Sequence, residues 1–304
     1  MALLKSLLHN RNVILLLALA TGLFIPFAVP VTRHLVLPAL AMTMALSTML
    51  IGNDIFRAPR LLFFPVVFGI LMNYILLGNV LIGLSSLLIR NEAIWTGFVL
   101  VAAVPPAIAI IPFSGILRGN NSLSLFGTVG AHLGALAIMP MIVLVLLGTA
   151  SFPPYKILLV LLFLIIIPLA ASHPSIRRCA KDRIDPYRGT ATNWSFFVVL
   201  YTMVGLNRDL ILSRGSGFIL LPIAAVLIGT TFVLGFLIDW VGGLFHIPRE
   251  TRTSLVLLGT LKNQAIAGGL AITFFSQEAA LPAAVSSLVM IAYFALLDFK
   301  KRWD

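Results

Sequence analysis

Lys262 is the residue of this chain whose type and place most demand a chemical account. It lies ten residues beyond Arg252, or roughly 15 Å along a helix, which is near the middle of a hydrocarbon layer about 30 Å thick. An ammonium at that depth is costly, and it faces a cavity or a partner. Asp239 lies ten residues before Arg249 on the preceding apolar segment and reaches a similar depth. Two readings stand. Either the pair is a buried ion bridge that joins two helices, or Lys262 offers its charge to an anionic solute or switches its proton, with Asp239 or His132 assisting. His132 sits among Gly130, Ala131 and Gly134, where small residues let helices approach closely, so a packing hydrogen bond competes with proton carriage there. Asn73, Ser124 and Thr128 are further polar groups inside apolar runs, and each taken singly reads as an interhelical hydrogen bonder. No HExxH, GxSxG or phosphate loop is present. Enzyme chemistry has no support, and no cofactor is implied. Cys179 is the only cysteine, which excludes an internal disulfide and a cysteine-rich metal site.

The elements that hold these groups follow from composition. Of the 304 residues 60% are hydrophobic and 10% charged, against roughly 45 to 50% and about 25% in soluble domains. The mean hydropathy is +1.07. A water-soluble protein is excluded, and strand alternation is absent, so the chain is predicted to be an all-α membrane protein. Uncharged intervals between charges and turn residues place spans near 13–29, 36–52, 61–87, 93–117, 122–147, 157–173, 189–207, 216–245, 253–276 and 279–297. Residues 1–29 have a basic start and an apolar run without a small-x-small cleavage site, and read as an uncleaved first span. With the N-terminus inside, fifteen of the 21 Lys and Arg residues fall on that side, five on the other, and Lys262 within a span. This bias accounts for the net charge of +11 without nucleic acid, and it predicts both termini in the cytoplasm and a plasma (inner) membrane location.

Ten spans divide at the Pro153-Pro154 turn into 1–147 and 157–304, with 148–156 as the connection and a long polar cytoplasmic connection at 174–188. Halves of five spans have opposite orientation, the form of inverted-repeat transporters, whose substrate site lies near the midplane between the repeats. The fourth span in each half is interrupted: one by Pro105, Pro106, Pro112 and Gly115, the other by Gly259, Lys262-Asn263-Gln264 and Gly268-Gly269. Two prolines in mid-span remove backbone donors and clash with the preceding turn, and broken backbone survives at that depth only where it lines protein or water. Pro105, Pro106 and Ile108 on one segment, and Lys262, Asn263 and Gln264 on the other, are therefore the candidate substrate-binding residues. Plain kinking by Pro and Gly is the competing reading.

Two blocks carry a family resemblance. Pro105 through Ser124, ending Arg118-Gly119-Asn120-Asn121-Ser122-Leu123-Ser124, and Arg252 through Ala267 followed by Ala279-Ala280-Leu281-Pro282-Ala283-Ala284, resemble the bile acid:sodium symporters, whose superfamily includes arsenite and auxin carriers. The resemblance implies a ten-span inverted repeat in which spans four and nine cross between a core and a panel domain. Two sodium ions are held in that family partly by a Ser-Asn pair and a Glu; aligned positions here are Ile110, Ile111 and Leu258. The family's Gln is Lys262. Asn73, Ser124 and Thr128 still match sodium ligands, but without a carboxylate they make a poor cation site, and no bound metal is expected. A fixed ammonium stands where sodium stood. The resemblance thus implies a secondary transporter of a small organic anion, working by alternating access and without sodium. Proton coupling through Lys262, with Asp239 or His132, is the alternative, and a non-transporting membrane sensor or scaffold is a different class. Arsenite is disfavoured because span four has no cysteine.

Overall fold

The computed structural model describes residues 11–48, 59–148, 174–213 and 216–303, together with Tyr155, Leu159, Leu162 and Phe163. The predicted sixth span and the connection between the predicted repeats lie outside the described stretches. Among the described residues the chain is helical throughout, and its one extended pairing is an antiparallel bridge between Pro106 and Lys262.

Helix α1 (Arg11–Phe24) turns through Pro26–Ala28 into α2 (Val29–Thr48). The bend between them is 83°. The chain therefore turns at Ile25–Ala28, earlier than the predicted 30–35, because Pro30 falls in the first turn of α2, where a missing N–H leaves nothing unpaired. Helix α3 (Pro59–Ile70) runs through a π-helical stretch, Leu71–Gly78, into α4 (Asn79–Leu88). Next come α5 (Glu92–Ala103), α6 (Ile110–Ile116) and α7 (Asn121–Leu147). Helix α7 stops at Gly148, whose φ of 75° glycine adopts without strain. Helix α8 (Pro174–Leu206) is 33 residues long, so the segment predicted as a polar connection at 174–188 is helical. Proline at its first position is compatible with helix, and charge by itself does not break one. After α9 (Arg208–Leu212), α10 (Ser216–Ile228) passes through a second π-helical stretch, Gly229–Val233, into α11 (Leu234–Leu244). The chain ends with α12 (Arg249–Leu258), α13 (Gln264–Phe274) and α14 (Leu281–Trp303).

Four continuous helical segments are long and apolar enough to cross a bilayer: Phe63–Leu88, Asn121–Leu147, Gly217–Leu244 and Glu278–Leu297. Each coincides with a predicted span, and a fifth follows if α1 and α2 form one bent span. One third of the most apolar window is buried in each of the first three, so most of their side chains face outward, Phe63, Phe64, Phe218 and Leu221 among them. Helices α5 and α13 are different. They have 12 and 11 residues, or roughly 17 Å, too short to span, and they are enclosed by protein: Gly97–Ala103 and every residue from Gln264 to Ile272 are buried. A half-helix whose end groups lack intrahelical partners needs such cover.

The helices fall into two groups. One consists of α1, α2 and α8 packed on one another; the other contains α3–α7 and α10–α14. They meet along α13, which touches both α2 and α8, and along α14, which touches α8. Gly268 and Gly269 belong to this meeting face. A Cβ on Gly268 would strike the Met203 side chain of α8, and one on Gly269 would strike Leu40 of α2. The sequence reading placed these glycines in a helix break. They lie inside α13, and their smallness serves close approach instead. Inside the larger group, Gly69 of α3 is pressed against the Gly127 backbone of α7 in the same way.

Candidate functional site

Both interrupted segments are unwound, the first at Pro105-Pro106 as expected and the second at 259–263, ahead of the Gly268-Gly269 pair that the sequence reading had included in the break. Helix α5 ends at Ala103 and α6 begins at Ile110, while α12 ends at Leu258 and α13 begins at Gln264. The two strips run antiparallel: Asn263 N donates to Pro105 O at 2.9 Å, and Ala107 N donates to Leu261 O at 3.3 Å. Asn263 then caps α13, its side-chain oxygen accepting from Ile266 N.

Lys262 is buried at this bridge with 1% of its surface exposed. Its ammonium donates to Asn73 Oδ1 at 2.8 Å, to Ala102 O at 2.6 Å and to Val104 O at 3.0 Å. Lysine has three N–H donors, so all three are used. The Tyr74 ring lies beneath, its centroid 4.6 Å from Nζ, close enough for a cation–π contact. Local sequence produces this shell. In a continuous helix the Ala102 carbonyl would accept from the N–H of residue 106, but Pro106 has none. The unwound strip likewise leaves Val104 O free. The π-helical stretch adds one residue to a turn, and the consecutive Asn73 and Tyr74 are both buried. Asn73 is held in turn through Nδ2, which donates to Leu258 O and Leu261 O at 3.3 and 3.4 Å. Tyr74 Oη donates to Ala131 O at 3.0 Å.

Pro105, Pro106, Asn263 and Lys262 thus come together, with Ile108 buried in the same strip and Gln264 at the start of α13. Gln264 Oε1 is buried with no hydrogen-bond partner. Asp239 is elsewhere. The ion pair between Asp239 and Lys262, one of the two sequence readings, is not formed: Asp239 Oδ1 lies 3.6 Å from Arg252 Nε. Depth counted along a helix carries no direction around it, and α12 ends four residues before Lys262, whose ammonium reaches the π-helical stretch Leu71–Gly78 and the end of α5 instead. His132 Nδ1 is 2.8 Å from Thr128 O; a carbonyl only accepts, so Nδ1 carries the hydrogen. Its Nε2 is buried and unpartnered.

Ser124 and Thr128 lie one turn apart on α7, away from the ammonium shell. Ser124 Oγ donates to Ser254 Oγ at 2.9 Å, Ser254 Oγ donates to Asn120 O at 2.9 Å, and Ser114 Oγ is 3.2 Å from Ser254 Oγ. Thr128 Oγ1 is buried without a partner. The Arg118-Gly119-Asn120 turn builds this cluster. A Cβ on Gly119 would come within 2.6 Å of Ser114 Oγ and 3.0 Å of Ser254 Oγ, Asn120 N donates to Glu250 O, and the Asn120 side chain caps α7. Tyr74, Ser114 and Ser254 were not singled out from the sequence. Only the four-residue offset from Ala102 to Pro106 could have pointed to the carbonyl ligand.

Two broken helices bridged at their unwound strips, one carrying a cation held by two backbone oxygens and an asparagine oxygen, are features found in solute carriers with discontinuous helices. The model of the SBF-like CPA transporter family matches residues 59–297, well over half of the chain, and the chain belongs to that family. This bears out the resemblance to bile acid:sodium symporters. It also makes the chain an integral membrane protein of a transporter family. No curated protein matches it.

Proposed function

We propose that the chain is a secondary transporter of a small organic anion, working by alternating access on a ten-span, five-plus-five inverted repeat, without sodium and without enzymatic activity. The observation that carries this reading is the shell of three oxygens around Lys262 Nζ. Oxygens at 2.6 to 3.0 Å are what a monovalent cation would also require, and the tethered ammonium takes them permanently. Since its three N–H groups are occupied, Lys262 acts on an anion through its charge; Gln264 and the start of α13 supply the hydrogen-bonding groups.

The repeat draws support from matched irregularities. A π-helical stretch interrupts both the third predicted span (Leu71–Gly78) and the eighth (Gly229–Val233), and unwound strips interrupt the fourth and ninth. The two packed groups that meet along α13 and α14 give alternating access its moving parts. The second reading is proton coupling: Nζ donates to neutral oxygens only, so loss of its proton would dissolve the charge that holds the bridge. A thermal-shift screen of small organic anions, followed by uptake into proteoliposomes, tests both. Replacing sodium by choline is expected to change uptake less than about two-fold, whereas one obligatory coupled ion would change it at least about ten-fold, or 1.4 kcal/mol. Steep, saturable sodium dependence would sink the proposal, and uptake driven by an imposed pH gradient alone would favour the second reading. A protein that binds anions without moving them would be a sensor.

A further inference from the structure

Every polar side chain of the two unwound strips is engaged within the protein. Thr260 Oγ1 donates to Val256 O at 2.7 Å, Lys262 Nζ uses its three N–H groups on oxygens, and Asn263 Oδ1 accepts from Ile266 N. The next residue differs. Gln264 opens α13 with its backbone N–H donated to Lys262 O at 3.1 Å, yet its side-chain Oε1 is closed off from solvent and has no hydrogen-bond donor. The residue is 6% exposed. Folded proteins leave few buried polar atoms unpaired, and each such atom has a cause.

The cause lies in what the crossing can receive. Ala107, Ile108, Asn263 and Gln264 keep 6 to 9% of their surface, whereas Val104, Leu261 and Lys262 keep 2% or less. A small solute therefore meets the first four residues, and the ammonium acts on it from behind them through its charge. Ala107 and Ile108 offer apolar side chains to a carbon skeleton. Gln264 offers a carboxamide on a side chain that turns about several single bonds, so its oxygen can follow a donor into contact. Because Oε1 is shut to bulk water in the closed arrangement, its donor must be enclosed with it, and a group of the bound solute meets that condition.

We propose that the anion bound at the crossing bears a neutral hydrogen-bond donor beside its acid group, a hydroxyl or an amide N–H, and that Gln264 Oε1 accepts from it. This names a substrate class for the anion-carrier reading above and rests on that reading. The two demands are separate. The charge of Lys262 attracts any small acid, whereas the carboxamide oxygen takes only an N–H or O–H, which an ionised carboxylate cannot supply. Hydroxy acids and N-acyl amino acids meet both demands, and plain alkanoates meet the first alone. A polar group placed to pair with a solute hydroxyl or N–H discriminates far more than an apolar pocket does, because the analogue without the donor leaves it unpaired.

Calorimetric titration of the full chain in a mild detergent tests this with two matched pairs: lactate against propionate, and N-acetylglycine against levulinate, which has a CH₂ in place of the N–H. The donor-bearing member of each pair is expected to bind at least about ten-fold more tightly. Equal affinities within both pairs overturn the proposal and leave the anion carrier standing, with the acid group itself on the carboxamide. Binding by none of the four removes the small-acid carrier and this proposal with it. Gln264→Met should bring the ratio within each pair to about one, and a ratio that survives in a folded variant places the acceptor elsewhere. Without ligand, Gln264→Met should melt no lower than the wild type, since an apolar group replaces an unpaired polar one. A fall of more than about 3 °C would show that the carboxamide already serves the fold, which also overturns the assignment.

Discussion

At Lys262 a cation is bound without a carboxylate, and this determines what its removal does. Lys262→Met leaves Asn73 Oδ1, Ala102 O and Val104 O without their donor, and each buried acceptor so stranded costs about 1 to 3 kcal/mol. The variant is expected to melt lower and to lose transport. Adding Asp239→Leu should not restore it, because Asp239 is paired with Arg252; recovery in the double variant would show that the two charges meet in some state of the protein. A well-folded Lys262→Met that transports at the wild-type rate would remove Lys262 from the mechanism. The Asp239–Arg252 pair is partly exposed, with side chains 32% and 25% accessible, and is worth no more than about 1 kcal/mol. What the sequence disclosed at this scale was the lysine and its depth. Its ligands were hidden because two of them are backbone carbonyls, which every residue has. The third, Asn73, was noticed as a scattered polar group and as a match to a sodium ligand of the family, and not as a partner of Lys262. Ser254 stayed hidden because a serine in the first turns of a helix is common, and its importance lies in contacts with Ser124 and Asn120 more than 100 residues away.

The element that presents those carbonyls is a helix made to stop. Pro106 removes the donor that would occupy Ala102 O, so Pro106→Ala offers the chain a continuation of α5 by one residue that competes directly with Lys262. Alanine is also about 3 kcal/mol better than proline within a helix. We expect Pro106→Ala to lower uptake by at least about ten-fold, or 1.4 kcal/mol in the transport barrier, with little change in melting temperature. Wild-type uptake would mean that the free carbonyl is a by-product of the fold. Both breaks were legible, since paired prolines and a Gly-Thr-Leu-Lys-Asn run have few other uses in an apolar span. Gly268-Gly269 was misread because glycine that breaks a helix and glycine that lets two helices touch look alike in sequence; only Met203 and Leu40 opposite them decide it. The helical 174–188 segment was missed for a related reason. Polarity marks where a chain leaves the apolar layer, and it does not mark where a helix ends.

In the whole molecule, hydropathy disclosed the long spans because lipid imposes the pattern directly, while the division into two packed groups left no mark on composition. That division carries the last prediction. In the alternating access proposed above, the group of α1, α2 and α8 shifts against the remainder, and α13 is the helix that touches both α2 and α8, with α14 also against α8. Gly268 and Met203 oppose each other there, so closely that a Cβ on Gly268 would overlap the methionine. Replacing both by cysteine exchanges one large and one absent side chain for two of intermediate size, and it brings two Cβ atoms near the roughly 3.5 to 4.5 Å that a disulfide needs. Cys179 is the only native cysteine, so Cys179→Ser supplies a clean background. The Gly268→Cys, Met203→Cys protein is expected to transport when reduced, to stop when oxidised, and to resume after dithiothreitol, with disulfide formation measured by the loss of thiol-reactive label. A protein that is almost wholly cross-linked yet keeps its reduced rate would show that the two groups do not slide along this face, and the moving boundary would then have to be sought among the helices of the larger group.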